Sequence, residues 1–157
     1  MAELKYIKGD ATDPIGTGPI FIPHVCNDIG AFGAGFAMAL AIKWNHVKQA
    51  YLDKGDWALG TNIYVKATKD ITICHMISQH KLVNKDNPHP LRYVALISCM
   101  KGVRGGIRVG VKENGLDGSI HTVKFGSGLA GGFWPVIEQL IKEIWVEQGI
   151  DVTIYEL

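Results

Sequence analysis

Two segments of this chain share one local design: an apolar strand, a glycine-rich loop, then a helix. The first has a continuous apolar stretch over 20–26, then Asn27-Asp28-Ile29-Gly30-Ala31-Phe32-Gly33-Ala34-Gly35, then a stretch over 36–44 rich in alanine, methionine and leucine. The second has a strand over 119–125, a glycine-rich loop over 126–132 and a long helix after it. In an open α/β sheet such loops lie at the carboxyl ends of strands, where they meet helix N-termini. Backbone N–H groups there attract anions, and glycine lets the main chain come close to a phosphate. Two such cradles in one small domain point to a diphosphate gripped from both sides. The plainer alternative is a pair of tight strand-to-helix turns with no ligand. Neither loop is a standard nucleotide fingerprint. The spacing of Gly30, Gly33 and Gly35 does not match G-x-G-x-x-G, and no Gly-Lys-Ser/Thr of a P-loop occurs.

The rest of the chain alternates in the same way. A short strand over 5–8 stops at Gly9-Asp10, and 12–19 is loop. The stretch over 36–44 is apolar nearly all round, which predicts a buried helix. An amphipathic helix follows over 46–54, ended by Gly55. Strands are expected over 62–66 and 70–77, a polar loop over 78–90 and a helix over 91–103. The stretch 105–118 is the least legible and reads as a hairpin excursion turning at Asn114-Gly115. A helix over 134–148 is stopped by Gly149, since glycine tolerates the left-handed cap, and a strand closes the pattern over 151–155. Strands alternating with helices predict a three-layer α/β/α domain around a mixed, mostly parallel sheet. With 157 residues and no repeat or linker, one domain over 1–157 is expected.

Composition narrows the function classes. Hydrophobic residues at 47% and charged ones at 20% argue against a disordered chain. A net charge of +1, with the basic residues scattered, gives no support to a protein that grips a nucleic-acid backbone. Cys26, Cys74 and Cys99 are odd in number, lack a C-x-x-C pairing and lie in apolar stretches, so they read as reduced core thiols of a cytoplasmic protein. The opening Met-Ala-Glu-Leu-Lys-Tyr lacks the shape of a signal peptide. The longest uncharged run, 29–42, is short of the roughly 20 apolar residues that span a bilayer. A soluble cytoplasmic protein is the expectation.

Four motifs in order carry a family resemblance. His24-Val25-Cys26-Asn27-Asp28, with Gly30-Ala31-Phe32-Gly33-Ala34-Gly35-Phe36-Ala37, resembles the first ligand loop of macrodomains. Phe125-Gly126-Ser127-Gly128-Leu129-Ala130-Gly131-Gly132-Phe133-Trp134 resembles the second. Gly9-Asp10-Ala11 and Val152-Thr153-Ile154-Tyr155-Glu156-Leu157 are in register with the same family. The likeness spans nearly the whole chain except 105–118. It is greatest to the branch holding ADP-ribose-1''-phosphate phosphatases and the terminal ADP-ribose protein glycohydrolase, many of whose members are phage-encoded.

The resemblance implies roles. Asp10, beside Ala11, would accept a hydrogen bond from the adenine amino group, unless it only finishes the turn after Gly9. Asn27 would orient the distal ribose hydroxyls, with Gly33, Ala34, Gly35 and Phe36 lying along that ribose and the phosphates. Gly126, Ser127, Gly128, Leu129, Ala130 and Gly131 would supply donors to the diphosphate, Ser127 adding a hydroxyl. Tyr155 either borders the adenine or is a core tyrosine. His24 stands where the phosphatase-type relatives also carry a histidine, and imidazole moves protons near neutral pH; the alternative is a histidine that ties strand to loop. His80 belongs at the same rim or pins its loop. Asp28 either activates a water or caps the turn.

The departures matter as much. The glycohydrolase relative uses a lysine just after the Met76-Ile77-Ser78 strand and an aspartate in the second loop, where this chain has Gln79 and Ala130. An amide and a methyl cannot form a Schiff-base pair, and Lys81 is displaced by two residues. His46, His75, His89 and His121 have no ligand-like spacing, so neither a metal site nor a cofactor is expected. The resemblance thus implies a hydrolase of an ADP-ribose derivative, foremost a phosphatase of ADP-ribose-1''-phosphate. A de-ADP-ribosylating hydrolase of protein or nucleic acid, and a non-catalytic ADP-ribose reader or scavenger, are the alternatives. Nucleic acid enters only as an ADP-ribosylated substrate.

Overall fold

The computed structural model describes residues 1–157, apart from the side chain of Asn114. Six strands form one sheet in the order β1 (Leu4–Lys8), β6 (Val152–Glu156), β5 (Ser119–Thr122), β2 (Ile20–Asn27), β4 (Ile71–Gln79) and β3 (Asn62–Lys66). Every neighbouring pair is parallel except β3 with β4, which is antiparallel. The carboxyl ends of β1, β2, β4, β5 and β6 therefore share one edge of the sheet, and the loops that follow them gather there.

Alternation along β4 separates the two faces. Cys74 and Met76 belong to a cluster with Leu96, Met100 and Val103 of α3 (Tyr93–Asn114) and Ile137, Ile141 of α4 (Trp134–Ile144). Ile73 packs on the other face against Leu40 of α1 (Gly35–Lys43) and Val47 of α2 (Asn45–Lys54). Helices thus cover both faces of a mixed, mostly parallel sheet, as the alternating pattern predicts. The three cysteines are buried and free. Among the described residues no helix is long and apolar enough to cross a membrane.

Two expectations fail, each for a physical reason. The stretch 105–118 holds no hairpin; its first part continues α3, a helix of 22 residues, up to a left-handed cap at Gly115 (φ 69°). The glycines that obscure this helix in the sequence let it lie close on β3. A methyl on Gly102 would stand 2.6 Å from Asn62 Nδ2, which donates to the Cys99 carbonyl of the same helix at 2.9 Å. Tertiary packing overrides the poor helix propensity of glycine. The second failure is α1, where Leu40 alone is buried while Ile42 is 80% exposed. Where every side chain is apolar, the pattern cannot tell the inward face from the outward one. Smaller shifts occur at ends: β4 runs on to Gln79, β5 stops at Thr122, and α4 gives way to a 3-10 turn over Val146–Gln148.

Candidate functional site

A cleft of about 740 Å³ opens at the carboxyl edge of the sheet, lined by residues of 24–27, 31–37, 79–83 and 123–130. That volume lies within the roughly 300–1,000 Å³ of small-molecule sites. Both glycine loops thus border one cavity.

The first loop is shaped by side chains from beneath it. Asn27 Oδ1 accepts from the N–H groups of Ile29 and Ala31, each at 3.1 Å, and from the Tyr51 hydroxyl at 2.9 Å. Its Nδ2 donates to the Ala31 carbonyl at 2.6 Å. Tyr51 Oη in turn accepts from Gly30 N–H at 3.1 Å. Gly30 (φ 78°) must lack a side chain, because a methyl there would lie 2.4 Å from the Trp57 ring, which itself stacks on Tyr51 at 5.4 Å. The loop then delivers the start of α1 to the cleft. Its cap residue, Ala34, has no side-chain acceptor, so the first N–H groups of α1 stay unsatisfied by the protein. Gly33, Ala34, Gly35 and Phe36 all line the cavity.

The second loop is held by main-chain bonds, two within it and one from Leu91. Gly132 N–H donates to Gly126 O at 2.8 Å, Gly131 N–H to Gly128 O at 3.0 Å, and Leu91 N–H to Ala130 O at 2.9 Å. Among the described residues the N–H groups of Gly126, Ser127, Gly128, Leu129 and Ala130 find no acceptor. Gly126, Gly128, Leu129 and Ala130 line the cavity, whereas Ser127 and Gly131 do not. The Ser127 hydroxyl turns back to the Lys124 carbonyl at 2.8 Å.

Asp10, Ala11 and Tyr155 also stand outside the lining of this cavity. Asp10 Oδ1 accepts from Thr12 N–H and Oγ1, both at 2.8 Å, and these bonds hold its carboxyl below the usual range. Its other oxygen is unengaged among the described residues. Ala11 is buried. The Tyr155 ring is 3% exposed, and its hydroxyl accepts from Ile15 N–H at 2.9 Å and bonds His121 Nδ1 at 2.7 Å. Of the two roles open to Tyr155, this is that of a core tyrosine that ties down the loop after β1.

The proton-carrying role expected of His24 conflicts with its surroundings. The ring is 2% exposed, its Nε2 is 2.7 Å from His75 Nδ1, and the edges of Phe32 and Phe36 flank it. Burial, and then the neighbouring His75, push its pKa well below the ordinary value, so it is neutral near pH 7. His24 is part of the floor of the cleft and fixes strand to loop, and it cannot serve as an imidazolium there.

Asp28 and His80 do meet. β2 and β4 are parallel neighbours with Cys26 opposite Ile77, and Asp28 N–H bonds the Gln79 carbonyl at 3.0 Å, so the two loops leave the sheet side by side. His80 Nδ1 lies 2.8 Å from Asp28 Oδ2, and Lys81 N–H donates to Asp28 Oδ1 at 2.7 Å. Burial raises the Asp28 pKa, but the bonds from Lys81 and His80 outweigh it and hold the carboxyl below its usual range. His80 is 40% exposed at its side chain, and among the described residues its Nε2 has no partner. Gln79 and Ala130 line the cleft, whereas Asp28 and His80 stand just outside its lining, beside Asn27 and Gln79.

Sequence reasoning missed Tyr51, His75 and the pair Leu82 and Val83. Tyr51 acts from 24 residues downstream of Asn27, and His75 from 51 residues beyond His24. Only the pairing of distant strands and helices brings them in, and no local spacing signals that.

Neither a protein-family model nor a curated protein matches the chain. Solved structures do. A Bacteroides thetaiotaomicron protein superposes with a TM-score of 0.86 at 38% identity, over 99% of this chain and 100% of that one. A macrodomain protein from Streptomyces coelicolor gives 0.78 at 34% identity, over 99% of each. DarTG of Thermosipho africanus, solved in complex with ADP-ribose, gives 0.65 at 16% identity, over 86% of this chain and 37% of its own.

Proposed function

The chain belongs to the macrodomain family, and from that premise we propose that its cleft binds ADP-ribose or a derivative of it. The observation that carries this reading is the pair of donor rows on one cavity. The unsatisfied N–H groups at the start of α1 border it on one side and those of Gly126, Gly128, Leu129 and Ala130 on the other. Convergent main-chain donors suit a pyrophosphate, whose charge is spread over many oxygens. DarTG, 37% of whose chain shares this fold, is solved in complex with ADP-ribose. The free oxygen of Asp10 remains the acceptor for the adenine amino group. Calorimetric titration with ADP-ribose should show one site per chain, and adenosine, which lacks the diphosphate, should bind at least tenfold more weakly. No heat with ADP-ribose would overturn the reading.

The Asp28–His80 pair favours turnover as a second reading. A carboxylate bonded to one imidazole nitrogen orients the ring and supports a positive charge on it, which leaves Nε2 to take a proton from water. In ADP-ribose-1''-phosphate that water would attack phosphorus, and the 1''-hydroxyl of ADP-ribose would leave, yielding inorganic phosphate. With His24 neutral and buried, the proton work falls to His80. Loss of general-base catalysis typically slows a reaction by about 10²–10⁴-fold, so phosphate release by a His80→Ala variant should fall into that range. Release of ADP-ribose from a modified protein or DNA, without phosphatase activity, would move the assignment to a de-ADP-ribosylating hydrolase. Binding without either product would make the chain a reader.

A further inference from the structure

Under the cleft lies a cluster that neither the binding reading nor the hydrolytic one uses. His24 Nε2, His75 Nδ1 and Cys26 Sγ lie within 4.8 Å of one another, and all three residues are buried. They come from adjacent strands, since His24 stands opposite His75 in the β2–β4 register.

We propose that His24, Cys26 and His75 form a site for one zinc-class divalent cation, held by two imidazoles and a thiolate. The donor set is the first argument, because nitrogen and sulfur ligands together select zinc over the oxygen-seeking cations. Distances are the second. Tetrahedral zinc, with about 2.0–2.1 Å to nitrogen and about 2.3 Å to sulfur, places N and S ligands about 3.5 Å apart. Here Sγ is 3.5 Å from His24 Nε2 and 3.7 Å from His75 Nδ1. The two nitrogens, at 2.7 Å, would have to open to about 3.3 Å, a small rotation of either ring.

Support around the ligands is the third argument. His75 Nε2 lies 2.9 Å from the Val47 carbonyl, and a carbonyl there must be accepting a proton from that nitrogen. The opposite nitrogen, Nδ1, is therefore the one with a bare lone pair, which is how metal-binding histidines are usually fixed. Phe32 and Tyr51 pack against the His75 ring at 5.4 and 5.8 Å, and Phe36 against His24 at 5.9 Å, so the walls are stiff and apolar. Access is the fourth. His24 and Cys26 line the cleft while His75 lies behind them, so a cation enters from the cleft and a water fills the remaining position.

The proton count is fixed by these contacts. His24 Nε2 now carries the proton shared with His75 Nδ1. On uptake that proton moves to His24 Nδ1, the Cys26 thiol loses its own to solvent, and one proton is released per cation bound.

The test needs no nucleotide, so it fails or succeeds independently of ADP-ribose binding. The whole chain, stripped with a chelator, should take up one Zn²⁺ in competition with a chromogenic chelator. Calorimetry in buffers of different ionisation heat should give one proton released per ion. Co²⁺ as a substitute should show a thiolate charge-transfer band and a tetrahedral spectrum. Cys26→Ser, nearly isosteric, should remove the band and weaken zinc at least tenfold, and His75→Gln should weaken it similarly. Uptake below one per chain, a cobalt spectrum without the thiolate band, or unchanged affinity in Cys26→Ser would each overturn the proposal. The cobalt and proton measurements are made on the natural chain, so a variant that fails to fold leaves them decisive.

Discussion

The two glycine loops lie on one cavity yet are built on opposite principles. The first owes its shape to side chains: the Asn27 amide inside it, and Tyr51 and Trp57 from below. The second owes its shape to main-chain bonds, from within itself and from Leu91, and to glycines where a side chain would clash. The first loop is therefore vulnerable to removing atoms, and the second to adding them. The largest effect should fall on the first. Asn27→Ala orphans the N–H groups of Ile29 and Ala31 and the Ala31 carbonyl, while the Tyr51 hydroxyl keeps the Asn27 main-chain carbonyl at 2.8 Å. Three lost bonds at about 1 kcal/mol each amount to about 3 kcal/mol. Chemical denaturation should show that loss, with ADP-ribose affinity falling along with it. A cost under about 1 kcal/mol would mean that the first loop also holds itself, and the contrast would be broken.

Next in size comes the reverse experiment. A methyl on Gly132 would lie 2.5 Å from Gly126 O, the carbonyl that Gly132 N–H bonds, and 2.5 Å from Leu91 Cδ2. Overpacking of this kind costs about 1–3 kcal/mol. Gly132→Ala should thus destabilise the chain by about 2 kcal/mol and lower ADP-ribose affinity at least tenfold, read by melting and calorimetry. Tyr51→Phe sharpens the comparison from the other side. It removes one oxygen from beneath the first loop, and with it the bonds to Gly30 N–H and to Asn27, at a cost of about 2 kcal/mol, while the second loop keeps its hydrogen bonds.

The same division decides what could be read from the sequence. Strand, glycine loop and helix are local patterns, so the second loop, shaped mostly by main-chain bonds, was legible as a loop between a strand and a helix. Which of its residues line the cleft was not. The mixed, mostly parallel sheet was expected from the alternation of strands and helices, while the antiparallel pairing of β3 with β4 comes from the structure. What escaped was whatever depends on contact between distant segments. Tyr51 under the first loop, His75 against His24, and the flush seating of α3 on Asn62 all need strands and helices far apart in the chain to meet. The proton role of His24 failed for the same reason. Its position before Asn27 was local, whereas its burial was set by Phe32, Phe36 and His75 from other elements. Asp28 and His80 could be set at one rim because both follow the ends of strands that run parallel.

Acid should separate the loops further, though less. The Asp28 carboxylate fastens the first loop to Lys81 and His80, and its pKa is held below the ordinary 3.8. A depressed carboxyl contributes stability that is whole above 3.8 and is lost as pH falls through the folded value. The melting temperature of the natural chain should therefore fall more steeply below pH 4 than that of Asp28→Asn, which has no carboxyl to protonate. Parallel curves would mean that the Asp28 bonds contribute nothing to holding the loop.

The smallest effect belongs to Ser127, the one polar side chain the second loop offers. If that loop works through main-chain donors alone, its hydroxyl is idle toward the ligand, and its 2.8 Å bond to the Lys124 carbonyl is consistent with that. Ser127→Ala should then leave ADP-ribose affinity within a factor of about two and stability within about 0.5 kcal/mol, the ordinary range for a surface change. A tenfold loss of affinity with stability intact would mean that Ser127 turns toward the phosphates on binding. The second loop would then depend on a side chain, as the first does, and its tolerance would have to be rethought in those terms.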